Sequence, residues 1–129
     1  MCVNNTKSTR TFSSKQNKRQ FKIAQDMTCT TENLIYLIMC RKCGIQYVGE
    51  TGRGLKDRLN NHKSNIKTKE KTPISIHFNS ENHSGLDLEM IGIEKIADQP
   101  NSIKIRKRKE QEWQNRLETK HPKGLNGLS

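Results

Sequence analysis

The sequence has few aromatic residues, few apolar residues and no long apolar run. Trp, Tyr and Phe make up 5% of the 129 residues and apolar residues 30%, so the chain can form only one modest hydrophobic core. No apolar stretch approaches the roughly 20 residues of a membrane-spanning helix, and the N-terminus lacks the apolar stretch of a secretory signal. We therefore predict a soluble intracellular protein that makes no membrane contact.

Acidic residues are scarce relative to basic ones. The chain has 13 Asp and Glu against 24 Lys and Arg, which gives a formal net charge of +11. A charge of this size attracts polyanions before any specific contact forms. The predicted partner class is therefore nucleic acid, and the predicted location is nuclear.

The four cysteines are not expected to form a disulfide framework in an intracellular protein. Two of them form a Cys40-x-x-Cys43 pair in the short connection between two predicted strands. A thioredoxin-like pair would instead open a helix after a strand, so metal binding by the thiolates is favoured. Cys2 lies in the N-terminal arm and has no predicted role.

Two histidines can complete a metal site with this cysteine pair. His77 and His83 lie six residues apart near a predicted junction of helix and loop. With Cys40 and Cys43 they supply two thiolates and two imidazoles, a set that suits tetrahedral Zn²⁺. Cys29 could replace one of the histidines. A bound metal would help to stabilise a domain with so small a core.

Hydrophobic periodicity predicts an α+β domain after a polar arm. Residues 1–28 are basic, lack periodicity and are predicted to be a flexible arm, whereas residues 29–129 form the folded domain. The predicted elements are strands at 33–39 and 45–48, helices at 55–68 and 73–78, a strand at 86–96 and a helix at 101–119. The order β-β-α-α-β-α predicts a small three-stranded antiparallel sheet flanked by helices.

The last predicted helix carries an inward-facing carboxylate. Arg106, Glu110, Trp113 and Leu117 follow one another at spacings of four, three and four, so Glu110 shares a face with the only Trp. A carboxylate there is costly unless it is paired or bound to a metal. Glu110 is therefore either an ion-pair partner of Arg106 or a ligand for a hard cation such as Mg²⁺.

The same helix carries the densest positive patch of the chain, formed by Lys104, Arg106, Lys107 and Lys109. This patch is either a solvated helix face or a wall that contacts phosphates. Because Glu110 is adjacent, we favour the phosphate-binding wall. Such contacts would position nucleic acid rather than read its bases.

Two short segments resemble the signature of the GIY-YIG endonucleases. Leu34-Ile35-Tyr36 and Tyr47-Val48-Gly49 are similar to its two halves, although Leu34 stands where the family name has Gly. The cysteine pair between the halves is similar to that of the GIY-YIG domains attached to Penelope-like retroelement reverse transcriptases. The resemblance covers about residues 29–126. It implies an endonuclease that hydrolyses DNA phosphodiesters with one divalent metal ion, Mg²⁺ or Mn²⁺.

The resemblance also implies a role for five residues. Tyr36 would activate the attacking water, and Tyr47 would position that water or the phosphate, although which tyrosine is the base stays open. Arg58 would bind the scissile phosphate, and His62, one helical turn later, would orient the water or tyrosine or shuttle a proton. Glu110 would hold the catalytic metal.

Further predictions concern DNA contacts, zinc binding and partner proteins. Arg53 after the second strand and Asn126 near the C-terminus would contact DNA together with the basic wall. The resemblance implies structural Zn²⁺ on the two cysteines and two histidines, and a parent retroelement would supply a reverse transcriptase as partner.

Two other functions stay open at this stage. A zinc-stabilised DNA-binding module that no longer cuts would keep the charge and the cysteines. A basic zinc protein that binds an acidic protein would leave the paired tyrosines unexplained. The enzyme is favoured if Tyr36, Arg58 and Glu110 converge on one cleft.

Overall fold

The computed structural model of the chain describes residues 2–3, 11–23 and 25–128. Within these residues the strands are β1 Cys2–Val3, β2 Thr11–Ser13, β3 Gln20–Lys22, β4 Leu34–Cys40, β5 Gln46–Thr51 and β6 Leu88–Lys95. The helices are α1 Leu55–Thr68, α2 Pro73–Phe78 and α3 Ser102–Leu117, and a 3₁₀ turn spans Gly85–Asp87. No helix in this part of the chain has the length and apolar character needed to cross a bilayer.

Strand β4 is the centre of the sheet. It pairs antiparallel with β5 on one side and with β6 on the other, and all of its residues but Met39 are buried. A strand covered on both faces is apolar throughout, which explains why its sequence shows no alternation. The predicted α+β fold with a three-stranded antiparallel sheet and three helices is confirmed. In addition, β1 pairs parallel with the outer edge of β6, which the sequence analysis did not predict.

Local chemistry sets the ends of the helices. Helix α1 ends where Lys69 adopts a left-handed conformation with a φ of 57°. Helix α2 begins after Thr72, whose side chain accepts a hydrogen bond from the backbone N–H of Ser75. Helix α3 ends earlier than predicted because Glu118 takes a positive φ of 54° and stops the helix.

Residues 11–23 form a hairpin that packs on α3. Strands β2 and β3 pair antiparallel, and the rings of Phe12 and Phe21 lie 5.4 and 5.1 Å from that of Trp113, measured between centroids. The hydroxyl of Ser14 donates to the carbonyl of Leu117 at 2.7 Å. The hairpin therefore covers the only Trp and satisfies a carbonyl at the end of the helix.

This hairpin stands where the sequence predicts part of a flexible arm over residues 1–28. Its apolar residues are isolated and widely spaced, so they give no periodicity, and the polar composition favours disorder. Their burial depends on α3, about a hundred positions further along the chain, as in the hydrogen bond that spans 103 positions. Residues 1, 4–10 and 24 of the predicted arm lie outside the described residues, and the domain boundary at residue 29 stays a prediction.

The hairpin should contribute to stability. Phe12→Ala is expected to lower the free energy of unfolding by about 3 kcal/mol, because it removes a buried ring from the cluster around Trp113. Denaturant unfolding monitored by Trp fluorescence measures the change. Thr11→Ala, at an exposed position of the same strand, is the control. Equal stabilities for the two variants would mean that the hairpin is not docked in solution.

Candidate active site and metal cluster

The sheet register brings the two tyrosines together. Tyr36 of β4 lies opposite Gly49 of β5, and Tyr47 lies opposite Ile38. Side chains opposite each other, or two positions apart on one strand, share a face of the sheet, so both rings project on the same side. Their centroids are 6.5 Å apart.

Gly49 makes room for the ring of Tyr36. A Cβ atom at this position would overlap the phenol carbon and hydroxyl of Tyr36 across the strand pair. The ring of Tyr36 therefore packs directly against the backbone of Gly49. This close approach gives a physical reason for glycine at the end of the second half of the signature.

Helix α1 brings Arg58 and His62 to the hydroxyl of Tyr36. The Nε2 atom of His62 lies 2.8 Å from the tyrosine oxygen, and Arg58 Nε donates to the same oxygen at 3.2 Å. The His62 ring also lies edge-on to Tyr47, with centroids 6.0 Å apart. The four side chains predicted from the signature and the helix therefore form one cluster.

Burial controls protonation in this cluster. It raises the pKa of Tyr36, as does the neighbouring Tyr47, while the Arg58 guanidinium opposes the shift. Burial and Arg58 together lower the pKa of His62 to about 3, so its imidazole is neutral at neutral pH. Neutral His62 carries one ring hydrogen, so its Nε2 accepts the phenol hydrogen in one tautomer and donates to the phenol oxygen in the other. Its Nδ1 has no hydrogen-bond partner among the described residues.

Glu110 reaches this cluster from α3, which packs against the edge strand β5. Glu110 is partly buried. Burial, followed by the charge of Glu50, raises the pKa of Glu110, while Lys107 and Arg58 act in the opposite direction. The negative charge of Glu110 in turn raises the pKa of Tyr36 and of Tyr47.

The buried ion pair of α3 is made by Arg106 with Glu50 rather than with Glu110. Arg106 Nε lies 2.8 Å from one oxygen of Glu50, and Lys107 Nζ lies 2.7 Å from the other. Arg106 also donates to Asn33 Oδ1 at 2.6 Å, and its side chain is only 12% exposed. Burial alone would raise the pKa of Glu50, but these two cations outweigh it and hold the pKa below its usual range.

Sequence reasoning missed Glu50. The predicted second strand ended at residue 48 and left Glu50 in the following turn, whereas β5 extends to Thr51 and includes it. A carboxylate that is partly buried on a strand needs a cationic partner. The partner Arg106 lies 56 positions further along the chain, so no local pattern indicates the pair.

The predicted DNA-binding residues differ in their surroundings. Arg53 lines a cleft of about 470 Å³ together with Arg58 and Glu50, and Lys104 is exposed with no ion pair in the described part of the chain. Lys109 lies 3.7 Å from Glu94. The DNA contacts assigned to these residues stay predictions.

The side chain of Asn126 forms hydrogen bonds within the fold. Its side-chain oxygen accepts from the backbone N–H of Val48 at 2.9 Å and from the hydroxyl of Thr119 at 2.6 Å. Its amide nitrogen donates to the carbonyl of Val48 at 2.8 Å. Asn126 thus fastens the C-terminal segment to β5, and the DNA contact predicted for it gains no support from this placement.

The second cluster predicted from sequence also assembles. One ligand atom each of Cys40, Cys43, His77 and His83 lies within 4.8 Å of the others, so the group could hold a metal ion. The Cys43 sulfur lies 3.6 Å from Nε2 of His77. The Nε2 atom of His83 is buried without a hydrogen-bond partner among the described residues, so it is available to bind a metal ion.

Cys29 does not belong to this cluster. It is engaged in a disulfide, so the prediction that it could replace one of the histidines is wrong. Its backbone carbonyl accepts a hydrogen bond from Lys56 N–H at 2.7 Å, which places it at the start of α1. Cys40 and Cys43 are free thiols.

Tyr36, Tyr47, Arg58 and His62 form one cluster, and the charge of Glu110 acts on both tyrosines. The comparisons with known proteins agree with the fold. The model of the GIY-YIG catalytic domain matches residues 32–126, well over half of the chain. The chain belongs to the GIY-YIG family and is a nuclease domain, which implies DNA as its substrate. No curated protein and no solved structure matches the chain.

The close approach of Tyr36 and Gly49 gives a prediction. Gly49→Ala should lower the free energy of unfolding by about 1–3 kcal/mol, because the added methyl group must displace the tyrosine ring from a packed site. Chemical denaturation measures the effect. Gly54→Ala is the control, since a Cβ there meets no atom closer than 3.5 Å. Unchanged stability in Gly49→Ala would contradict the packing described here.

Proposed function

We propose that the chain is a metal-dependent endonuclease that nicks or cleaves DNA by hydrolysis of phosphodiester bonds. The observation that carries this proposal is the convergence of catalytic group types around the buried hydroxyl of Tyr36. His62 and Arg58 bond to that hydroxyl, and the charge of Glu110 acts on both tyrosines. A module that only binds DNA has no need for this arrangement.

The geometry supports a role for Arg58 at the scissile phosphate. Its Nε atom is used by Tyr36, and its side chain lines the cleft. A guanidinium at this position can donate to phosphate oxygens and stabilise the negative charge that grows in the transition state. Its positive charge also makes the phenol easier to deprotonate, because it lowers the pKa of Tyr36 against the effect of burial.

Tyr36 and His62 form a route for the proton of the attacking water. The phenol oxygen of Tyr36 would take a proton from water while the phenol hydrogen passes to Nε2 of neutral His62. The water oxygen then forms its bond to phosphorus as the bond to the leaving oxygen breaks, and the leaving oxygen takes a proton from solvent. Tyr47, whose ring lies beside both groups, would position the water or the phosphate.

Glu110 would hold the catalytic metal, Mg²⁺ or Mn²⁺. One carboxylate completed by water and phosphate oxygens is a ligand set that Mg²⁺ accepts. When bound, the ion supplies Lewis-acid stabilisation of the phosphate. Since the pKa of Glu110 is raised, protons compete with the metal for this carboxylate, and metal affinity should fall as the pH is lowered towards that pKa.

Nicking of supercoiled plasmid tests the proposed function. The intact chain with Mg²⁺ or Mn²⁺ is expected to nick the plasmid, and Glu110→Ala should reduce the rate at least about 100-fold while DNA binding persists. Glu112→Ala is the matched control, because Glu112 lies on the same helix and pairs with Arg108 and Arg116.

The outcomes of this assay separate two functions. Equal nicking by Glu110→Ala and Glu112→Ala would remove Glu110 from the metal site. A folded chain that binds DNA and cuts it under no condition would instead be the zinc-stabilised DNA-binding module.

We also propose that the Cys40, Cys43, His77 and His83 cluster binds one structural Zn²⁺. For tetrahedral zinc with typical bond lengths, a sulfur and a nitrogen ligand lie about 3.5 Å apart. The distance from Cys43 Sγ to His77 Nε2 is 3.6 Å. Burial alone would raise the pKa of Cys43, but a hydrogen bond from the Ile45 backbone and the charge of His83 hold the pKa below its usual range, which favours the thiolate form.

Metal analysis checks the zinc proposal. The purified chain should contain one Zn²⁺, and Cys43→Ser should lose it and unfold at a lower temperature, because metal binding is coupled to folding. His121→Gln, at an exposed histidine outside the cluster, should keep the metal. A chain without zinc whose thermal unfolding is indifferent to chelator would contradict the proposal.

The cysteine pair between the signature halves supports an origin in a Penelope-like retroelement. A nuclease of that type would work beside a reverse transcriptase in a longer element and act in the nucleus. Both the reverse transcriptase partner and the nuclear location belong to this proposal.

A further inference from the structure

Leu86 is the most exposed large apolar side chain in the described part of the chain, with 86% of its surface open to solvent. It lies in the 3₁₀ turn Gly85–Asp87, where the sequence predicts the start of β6. Ser84 caps this turn: its hydroxyl accepts from the N–H of Leu86 at 3.1 Å, and its own N–H donates to Asp87 Oδ2 at 3.1 Å. The leucine is therefore held outwards on a hydrogen-bonded turn.

The turn is attached to the rest of the domain on two sides. The N–H of Arg41 donates to the carbonyl of Asp87 at 2.7 Å, which ties the turn to the end of β4. His83 of the metal cluster immediately precedes the capping serine. Leu86 is thus supported by the same segment that the metal would hold in place.

The surface around Leu86 is basic. One groove of about 590 Å³ beside it is lined by Arg41, Lys56 and Lys63, and a smaller groove on its other side also contains Lys63. No carboxylate of the described residues lines either groove. Arg41 lies 3.4 Å from Glu89, while the two lysines are exposed and form no ion pair within the described residues.

This basic face and the candidate active site involve two different flanks of helix α1. Lys56 and Lys63 are seven positions apart on α1, so they lie on the same side of the helix, and Arg58 lies on the opposite flank. A DNA duplex that lies over the exposed side of α1 would therefore reach both the cleft and Leu86.

We propose that Leu86 is an apolar wedge that inserts between base pairs from the minor groove of bound duplex DNA, with Lys56 and Lys63 on the flanking phosphates. The inference rests on the proposed function and deepens it. Architectural DNA-binding proteins insert single apolar side chains in this way and thereby unwind and kink the duplex. A protein partner would need a wider apolar area, whereas one leucine between cations matches a base step between two charged backbones.

A topological assay tests the wedge without knowledge of a target sequence. Full-length Glu110→Ala protein, which should not cut, is bound to relaxed plasmid in the presence of topoisomerase, and the linking number is measured after the protein is removed. An inserted wedge unwinds DNA and should leave the plasmid negatively supercoiled. In the same background, Leu86→Ala should abolish this change while lowering DNA affinity by no more than about tenfold.

Ile103→Ala is the matched control for Leu86→Ala. Ile103, at 65% exposure, is the other exposed large apolar residue of the described chain, and it lies on α3 away from the 3₁₀ turn. This variant should keep both the affinity and the linking-number change. Separately, the double change of Lys56→Gln and Lys63→Gln should reduce the slope of log affinity against log salt by about two.

The experiments distinguish failure of the wedge proposal from failure of the nuclease proposal. If the protein saturates the plasmid with no change in linking number, or if Leu86→Ala changes it as much as the parent at equal occupancy, the wedge is excluded and the nuclease proposal stands. An unchanged salt slope would remove the lysines from the interface. A parent protein that binds no DNA at all would overturn both proposals.

Discussion

The buried hydroxyl of Tyr36 constrains the arrangement of the whole site. A phenol hydroxyl inside a protein is costly unless it is hydrogen-bonded, and here the partners are His62 and Arg58 of α1. The ring fits only because Gly49 leaves space across the strand pair. The contacts of this one tyrosine therefore constrain both the register of β4 with β5 and the rotation of α1 about its axis. A slip of one residue in that register would turn Tyr47 away from Tyr36.

The sequence predicts the parts of this arrangement that depend on local pattern. Residues of the continuous apolar run formed β4, and the helical spacing of Leu55 and Leu59 correctly indicated α1. The inward position of Glu110 also followed from its spacing to Trp113. In each case the residue pattern spans only one strand or one or two helical turns. It can therefore be recognised in the sequence without knowledge of the fold.

Contacts between distant segments could not be predicted in the same way. The hairpin at 11–23 is buried only because Trp113 offers it a surface, and neither segment reveals this on its own. Arg106 was correctly placed on the inner side of α3, but its partner Glu50 could not be predicted, because Glu50 comes from a strand 56 positions away. The disulfide of Cys29 was missed because it depends on tertiary placement rather than spacing.

In the proposed function, cations held in ion pairs and exposed cations have different roles. Glu50 forms ion pairs with Arg106 and Lys107 and offsets one of their two positive charges. The buried Arg106 fixes α3 against β5, because a buried, paired cation sets geometry and pKa values at short range. Exposed cations dominate the long-range attraction of a polyanion. The exposed lysines Lys56, Lys63 and Lys104 lie outside the tyrosine cluster. In the proposed function, affinity for DNA should therefore arise mainly from these exposed lysines, whereas the negative charge of Glu110 acts within the tyrosine cluster.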